Sequence, residues 1–227
     1  MRGHEYSVYA DVSLKSKKGV YAALAVLAAS LVWGIQSLGT TVARDLFKEE
    51  SAFAKALLLL GSIATLGVFG LLVLAFNRWA WRQKWMAPFF AFTQATQPVA
   101  LHGTYEGRVV RRVFGEGGAV KELTEWPLVA TITQTWEHIG VFFRFHDPPI
   151  ARLAESESDM AALIIKSPDE AILRYTYRHE RKPEGAPLRH DGTSTMSFKR
   201  SGGLWSATGT FYSEEHSSGE IYLQQKS

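Results

Sequence analysis

Two long runs without a charged side chain constrain the fold of this 227-residue chain more than any other feature. Residues 19–43 are twenty-five uncharged residues, and residues 56–77 are twenty-two more. A helix needs about 20 apolar residues to cross a bilayer, so both runs are long enough. A buried helical hairpin of a soluble protein is the alternative, but neither run has the polar face that a surface helix needs. The runs therefore predict a membrane hairpin with transmembrane helices at about 19–43 and 52–77.

Basic residues around the two runs predict the orientation of the hairpin. The outer ends of the hairpin carry six: Lys15, Lys17, Lys18, Arg78, Arg82 and Lys84. The connection between the two runs carries three: Arg44, Lys48 and Lys55. The positive-inside tendency then places both termini in the cytoplasm. Trp79, Trp81 and Trp85 alternate with basic residues after the second run, which is typical of an interfacial aromatic belt. Stacking on nucleic-acid bases is the alternative for these tryptophans, but their position beside an apolar run favours the membrane.

Composition separates the two halves of the chain and excludes several functions. Residues 1–87 carry a net charge of +5 and residues 88–227 a net charge of −2, so the positive charge marks membrane topology rather than a surface for a nucleic-acid polymer. The absence of cysteine excludes a disulfide framework and any thiolate ligand or nucleophile. No serine-hydrolase, zinc-protease, P-loop or dinucleotide-binding motif is found. We therefore expect no catalytic activity, no metal and no cofactor.

The second predicted domain, residues 88–227, has the pattern of an all-β fold. Eight short alternating runs are separated by turn residues, and the short connections favour an antiparallel meander. Eight such strands can close into a barrel, which leaves no free edge and has room inside for side chains or one small ligand. A β-sandwich is the alternative. For a barrel, the last strand around residues 220–223 is expected to pair with the first strand around Gly103–Gly107.

Alternation within the strands predicts which side chains share a face of the sheet. In the first strand Tyr105 and Arg111 share a face, and in the second Trp126, Gln134 and Trp136 do. In the fifth strand one face carries Leu173, Tyr175, Tyr177 and His179, and the opposite face carries Arg174 and Arg178. This mixture of aromatic and polar side chains suits a ligand cavity. Each aromatic residue taken singly is equally suited to the core of a barrel, so the pattern leaves both interpretations open.

Several segments, in this order, resemble a known family. They are "HGTYEG" at His102–Gly107, "RYTY" at Arg174–Tyr177, "RHDGTSTMSF" at Arg189–Phe198 and "LWSATGTFYSEEHSSGEIYLQ" at Leu204–Gln224. Preceded by a membrane hairpin, they are similar to the two-transmembrane, β-strand-rich (SMODS-associating) membrane effectors of bacterial CBASS antiphage defence. The resemblance covers about residues 18–223 and implies a lipocalin-like barrel.

The resemblance also implies a function. In that family a CD-NTase makes a cyclic nucleotide, and the cytosolic barrel of the effector binds it. The effector then oligomerises through its transmembrane helices and disrupts the inner membrane. The implied partners are a cyclic dinucleotide, membrane lipids and further copies of the chain. By motif position, the implied ligand site comprises Tyr105, Gln134, Tyr175, Tyr177 and His190, with Arg111, Arg174 or Arg178 for phosphate.

Two details of this site and one of the function stay open in the sequence. Alternation favours Arg111 over the other two arginines for the phosphate. His190 precedes Asp191 and Gly192, so a place in a turn is as compatible with the sequence as a place in the site. The alternative function is a membrane-tethered, lipocalin-like carrier of a lipid or small apolar ligand, which predicts a more uniformly apolar cavity.

Overall fold

The computed structural model describes residues 7–9, 14–47, 52–93, 95, 97–115, 118, 120–147, 152–181, 188–214 and 217–226. The chain forms two compact units, a helical unit of Val12–Gln97 and a barrel unit of Met1–Asp11 with Pro98–Ser227. The division between Gln97 and Pro98 lies later than the predicted boundary between residues 87 and 88, because a third, short helix packs with the two long ones.

The helical unit contains both predicted long helices. Its elements are α1 (Leu14–Phe47), α2 (Ala52–Arg78), two 3-10 turns (Ala80–Arg82 and Lys84–Met86) and α3 (Ala87–Thr93). The ring of Phe76 in α2 contacts the rings of Phe89 and Phe90 in α3, with centroids 5.7 and 6.0 Å apart. These aromatic contacts attach α3 to α2.

A single stripe of α1 is buried within the helical unit. Val20, Leu24, Ala28 and Val32 follow one another at intervals of four, which keeps them on one face of the helix. The remaining apolar side chains of α1 are mostly exposed, and Trp33 has 72% of its surface accessible. Apolar exposure on this scale is unusual for a water-soluble surface and is what a lipid environment accommodates.

One described helix is long and apolar enough to cross a membrane, and its candidate span is Lys17–Gly39 within α1. In α2 the described apolar stretch is shorter, at Ile63–Arg78. The structure therefore matches the first predicted span. It contains the second predicted helix but does not support that helix as a second span, so a second crossing and the orientation of the termini stay predictions.

The barrel unit is built from eight long strands and a short one. The strands are β1 (Ser7–Tyr9), β2 (Gly103–Phe114), β3 (Val120–Gln134), β4 (Ile139–Asp147), β5 (Arg152–Ser167), β6 (Glu170–Arg181), β7 (Leu188–Ser201), β8 (Leu204–Ser213) and β9 (Ser217–Gln225). Strands β2 to β9 form an antiparallel meander that closes on itself, because β9 pairs with β2. This confirms the predicted eight-stranded barrel over the β-sandwich. The sequence did not predict β1, which adds in parallel to β5.

The seam that closes the barrel joins the two strands that the sequence predicted, although residues 220–223 lie opposite residues 107–110, further along β2 than predicted. β9 pairs with β2 without interruption, from Tyr105 opposite Gln225 to Val113 opposite Ser217. Gly107 has no side chain at a point where a Cβ would overlap the carbonyl oxygen of Tyr222. The last strand is therefore an integral part of the sheet.

Burial along the strands follows the predicted alternation. In β6, for example, Leu173, Tyr175 and Tyr177 are buried and Arg174 is exposed. Inner-face residues consequently line the barrel from one end to the other. We call the end at which β2 begins the linker end, and the end at which β2 stops, near Phe114, the distal end.

Candidate functional site

At the linker end, two residues predicted to bind ligand have their polar atoms bonded within the chain. The Oε1 atom of Gln134 accepts a hydrogen bond from the backbone N–H of Leu101 at 2.7 Å, and its Nε2 donates to the carbonyl oxygen of Val99 at 2.9 Å. The Tyr105 hydroxyl donates to the carbonyl oxygen of Leu101 at 2.7 Å. These bonds hold the segment that precedes β2 against the inner face of the barrel.

The same end is densely packed with large side chains. Leu101, Tyr105, Trp136 and Phe198 are completely buried, and the rings of Tyr105 and Phe198 meet edge to face with centroids 5.8 Å apart. Burial raises the pKa of the Tyr105 phenol above its ordinary value. The phenol is therefore neutral, and its single proton is already donated to the chain.

Tyr175 lies in the middle of the barrel, among apolar side chains. Its ring stacks against Phe143, with centroids 6.1 Å apart, and its hydroxyl donates to the Sδ atom of Met196 at 3.3 Å. Burial raises the pKa of the Tyr175 phenol, and a hydrogen bond with Ser194 lowers it by less. This hydroxyl therefore has two polar partners within the barrel, Met196 and Ser194.

Polar and aromatic side chains accumulate on the inner face toward the distal end. We call this set the distal cluster: Arg111, Trp126, Phe145, Tyr177, His179 and His190. The guanidinium carbon of Arg111 lies 6.0 Å from the ring centroid of Trp126. Both side chains are partly exposed, so the cation and the aromatic face belong to one accessible surface. The predicted choice of Arg111 as the inward-facing arginine agrees with this placement.

Two histidines of the distal cluster form an aromatic pair. His179 in β6 and His190 in β7 are direct strand partners, and their ring centroids are 4.6 Å apart. The ring of Phe145 in β4 meets His179 from the other side at 5.6 Å. Because His190 lies within a paired strand, its alternative assignment to a turn is wrong.

Tyr177 reaches across a neighbouring strand. Its hydroxyl donates to the carbonyl oxygen of Tyr212 in β8 at 3.2 Å, although β7 lies between β6 and β8. The ring passes over Gly192 in β7, where a Cβ would overlap it. Gly192 therefore provides the space that places Tyr177 among the distal residues.

The other two candidate arginines lie on the outside of the barrel. Arg174 is exposed. Arg178 lies between Asp159 and Asp191, with 3.6 Å from its guanidinium nitrogens to an oxygen of each. Alternate residues of a strand point to opposite faces, so both arginines lie away from Tyr175, but Arg178 and Tyr177 line the same outer cleft.

Arg178 lines an outer cleft of about 650 Å³ that is a poor place for phosphate. The cleft contains three carboxylates, from Asp159, Asp191 and Glu214, against the one guanidinium. A phosphate group would be repelled by the excess negative charge. In the contacts described for the three candidate arginines, Arg111 is the one that has both a position on the inner face and an aromatic neighbour.

Sequence reasoning did not select Trp126, Phe145 or His179 for the site. Trp126 and His179 were placed on the correct faces by alternation, and that signal was sufficient to find them. Phe145 was open to the same signal, because alternation places it on the face that Val141 and Phe143 share, but that face was not assigned from the sequence. Among the described residues, no group of three or more histidines or carboxylates is arranged to hold a metal ion.

Comparison with protein-family models, curated proteins and solved structures gives no match. The function therefore has to be inferred from the fold and the side chains themselves.

Proposed function

We propose that this protein is a membrane-anchored effector of CBASS antiphage defence whose barrel binds a cyclic dinucleotide made by a CD-NTase. The observation that carries the proposal is the distal cluster, in which a half-buried arginine, a tryptophan, a tyrosine and paired histidines line one end of a closed barrel. A barrel of eight strands is wide enough to hold one small ligand. A lipocalin-like role for the barrel is part of this proposal.

The chemistry of the distal cluster suits the two halves of such a ligand. A cyclic dinucleotide presents flat bases, which stack on aromatic side chains, at about 1–3 kcal/mol per base. Trp126, Phe145 and the histidine pair present such surfaces. The phosphates require charge-assisted hydrogen bonds, for which Arg111 has the permanent charge. The ring of Tyr177 lies beside these groups, held by the hydrogen bond from its hydroxyl to Tyr212.

In the proposed topology the helical unit crosses the bacterial inner membrane twice, and both termini and the barrel are cytosolic. α1 contains a candidate span of 23 residues, and α2 is a helix of 27 residues. At 1.5 Å per residue, a helix of that length extends about 40 Å, which exceeds the hydrocarbon core of a bilayer. Of the three tryptophans predicted to form an interfacial belt after α2, Trp79 and Trp85 are 53% and 62% exposed, as a belt requires. Trp81 is completely buried, so its assignment to the belt is wrong.

The proposed mechanism is a shift of population rather than a reaction, so the protein is not an enzyme. A ligand shifts an equilibrium only by its difference in affinity between two states. Binding in the barrel has to favour an oligomeric state over the resting one. Oligomerisation of the transmembrane helices then disrupts the inner membrane.

The test measures thermal stabilisation of the detergent-purified protein by a panel of cyclic dinucleotides. We expect one of them to raise the melting temperature, and Arg111→Ala to lose most of that increase. Arg174→Ala is the matched control, because it removes an exposed arginine from the outer face and should keep the increase. Equal losses in both variants, or no stabilisation of the native sequence by any cyclic nucleotide, would refute the nucleotide site.

A cellular assay tests the second half of the mechanism. Co-expression with an active cyclic-dinucleotide synthase should permeabilise the inner membrane to a dye, and a catalytically dead synthase should not. Intact membranes despite ligand binding in vitro would refute membrane disruption while leaving the sensor role in place.

A second candidate function is a membrane-tethered carrier of a lipid or small apolar ligand. One observation favours it: the middle of the barrel is lined by buried apolar residues such as Val109, Leu128, Phe143, Met196 and Ile221. If lipids stabilise the protein and cyclic nucleotides do not, the carrier is the better assignment.

A further inference from the structure

The helical unit contains an apolar groove on a face of α1 other than its buried stripe. The groove is about 610 Å³ in volume and lies between α1 and α3. This volume is within the range of about 300–1,000 Å³ that is typical of small-ligand sites. Its α1 wall includes Gly19, Ala22, Val26 and Ser30, and its α3 wall includes Phe89 and Phe92.

The shape of the groove results from small residues on α1 and large ones on α3. Gly19 allows the end of α3 to approach closely, since a Cβ there would lie 3.1 Å from the carbonyl oxygen of Thr93. Further along α1, Ala22 adds little volume. Phe92 on α3 is 80% exposed. From Gly19 to Ser30 the groove follows about 16 Å of helix, which suits an elongated apolar ligand.

Positive charge is concentrated at the Gly19 end of the groove. Lys17 and Lys18 immediately precede Gly19, and Lys18 is exposed one helical turn before Ala22. The first turn of α1 contains no acidic residue. An apolar groove with a cationic end is complementary to a molecule that has an apolar tail and an anionic head.

We propose that this groove binds an acyl chain of an anionic phospholipid, with the headgroup at Lys17 and Lys18. The inference rests on the membrane location in the proposed function, and it is independent of the nucleotide site. A cation at the membrane surface favours anionic lipid by about 1 kcal/mol, or about fivefold in affinity.

The test uses the full chain, purified in detergent and delipidated, and native mass spectrometry with phosphatidylglycerol or phosphatidylcholine of identical acyl chains. We expect one phosphatidylglycerol to be retained in preference to phosphatidylcholine. Ala22→Leu, which fills the groove, should lose this bound lipid. Ala25→Leu makes the same change at another exposed alanine of α1 that does not line the groove, and it should retain the lipid. Equal binding of the two lipids, or equal losses in the two variants, would overturn the proposal.

A charge variant tests the headgroup end separately. Lys18→Glu should reduce the preference for phosphatidylglycerol by about fivefold or more, and Lys84→Glu, which changes an exposed lysine outside the groove, should not. If Ala22→Leu changes the oligomer mass and leaves lipid binding intact, the groove holds another copy of the chain, and the lipid proposal is wrong.

Extraction of membranes with alkaline carbonate separates failure of this inference from failure of the proposed location. Protein that stays in the membrane but retains no phosphatidylglycerol refutes the lipid site alone. Protein that leaves the membrane refutes the membrane anchor, and the lipid site with it.

Discussion

The two ends of the barrel are built by the same alternation of residues but differ in what their polar atoms do. At the linker end, the side chains of Gln134 and Tyr105 form hydrogen bonds with the backbone of Leu101 and Val99. At the distal end, Arg111 and the histidine pair contact aromatic faces on partly exposed surfaces. An inward-facing polar residue therefore does not by itself mark a ligand site. The difference lies in exposure: Gln134 and Tyr105 are buried, whereas Arg111 and the two histidines are partly exposed.

The largest effect is expected from removal of β9, the strand that closes the barrel from one end to the other. A chain truncated after Gly219 loses β9 from Glu220 onward, so β2 and β8 become free edges. We expect the barrel to unfold and nucleotide binding to disappear, while the helical unit still enters the membrane. Circular dichroism, nucleotide titration and membrane fractionation measure the three outcomes. Removal of Lys226 and Ser227 alone should preserve the fold, and binding by the longer truncation would disprove the role of the seam.

A matched pair of tryptophans compares the packing of the two ends. Trp136 is fully buried near the linker end, and Trp126 is partly exposed in the distal cluster. Trp136→Ala should lower the free energy of unfolding by about 3–5 kcal/mol through loss of burial and the cavity left behind. Trp126→Ala should lower it by about 1 kcal/mol, but should weaken nucleotide binding. Denaturant titration in detergent measures both, and equal losses of stability would contradict the contrast.

Gln134 tests the hydrogen bonds of the linker end without a large change in volume. Gln134→Leu leaves the N–H of Leu101 and the carbonyl of Val99 without their present partner. Buried groups left unsatisfied are costly, and we expect a loss of about 2 kcal/mol in the free energy of unfolding. Gln224→Leu, at an exposed position of β9, should change stability little. If Gln134→Leu leaves stability intact but weakens nucleotide binding, the residue belongs to the ligand site after all.

The two buried phenols predict a smaller effect that depends on pH. Burial raises the pKa of Tyr105 and Tyr175 in the folded state, whereas in the unfolded state these phenols titrate near pH 10. The stability that their neutral forms contribute is complete below about pH 10 and is lost as the pH rises further, by about 1.4 kcal/mol per pH unit for each phenol. Denaturant titrations at pH 9 and 11 measure this loss. Tyr175→Phe should reduce it, and an unchanged slope in that variant would show that other groups cause it.

Much of the fold follows from the sequence because its signals are periodic. Alternation and turn residues were sufficient for the eight strands, the inner and outer faces and the closing seam. β1 was missed because three residues are too few for alternation to be visible. The helices were found by their uncharged runs, although within the described ranges the structure supports one membrane span, Lys17–Gly39 in α1.

The candidate site was less predictable, because its members are distinguished by their partners rather than by their own pattern. Val99 and Leu101, which engage Gln134, come from an irregular segment without periodicity. Arg178 entered the predicted site through its motif position in the resemblance, although alternation had already placed it on the face opposite Tyr177. His179 was on the correct face from the start, and its pairing with His190 becomes visible only in the register of β6 and β7.

Gly192 couples two properties of Tyr177, the position of its ring and its anchoring bond. Tyr177→Phe deletes the hydroxyl that bonds Tyr212 but keeps a ring of the same outline over β7. Gly192→Ala affects both properties at once, because its Cβ would overlap the ring, the hydroxyl and the carbonyl oxygen of Tyr212 that accepts the bond. The anchoring bond can thus be removed without moving the aromatic surface, but the surface cannot be moved by this route without breaking the bond.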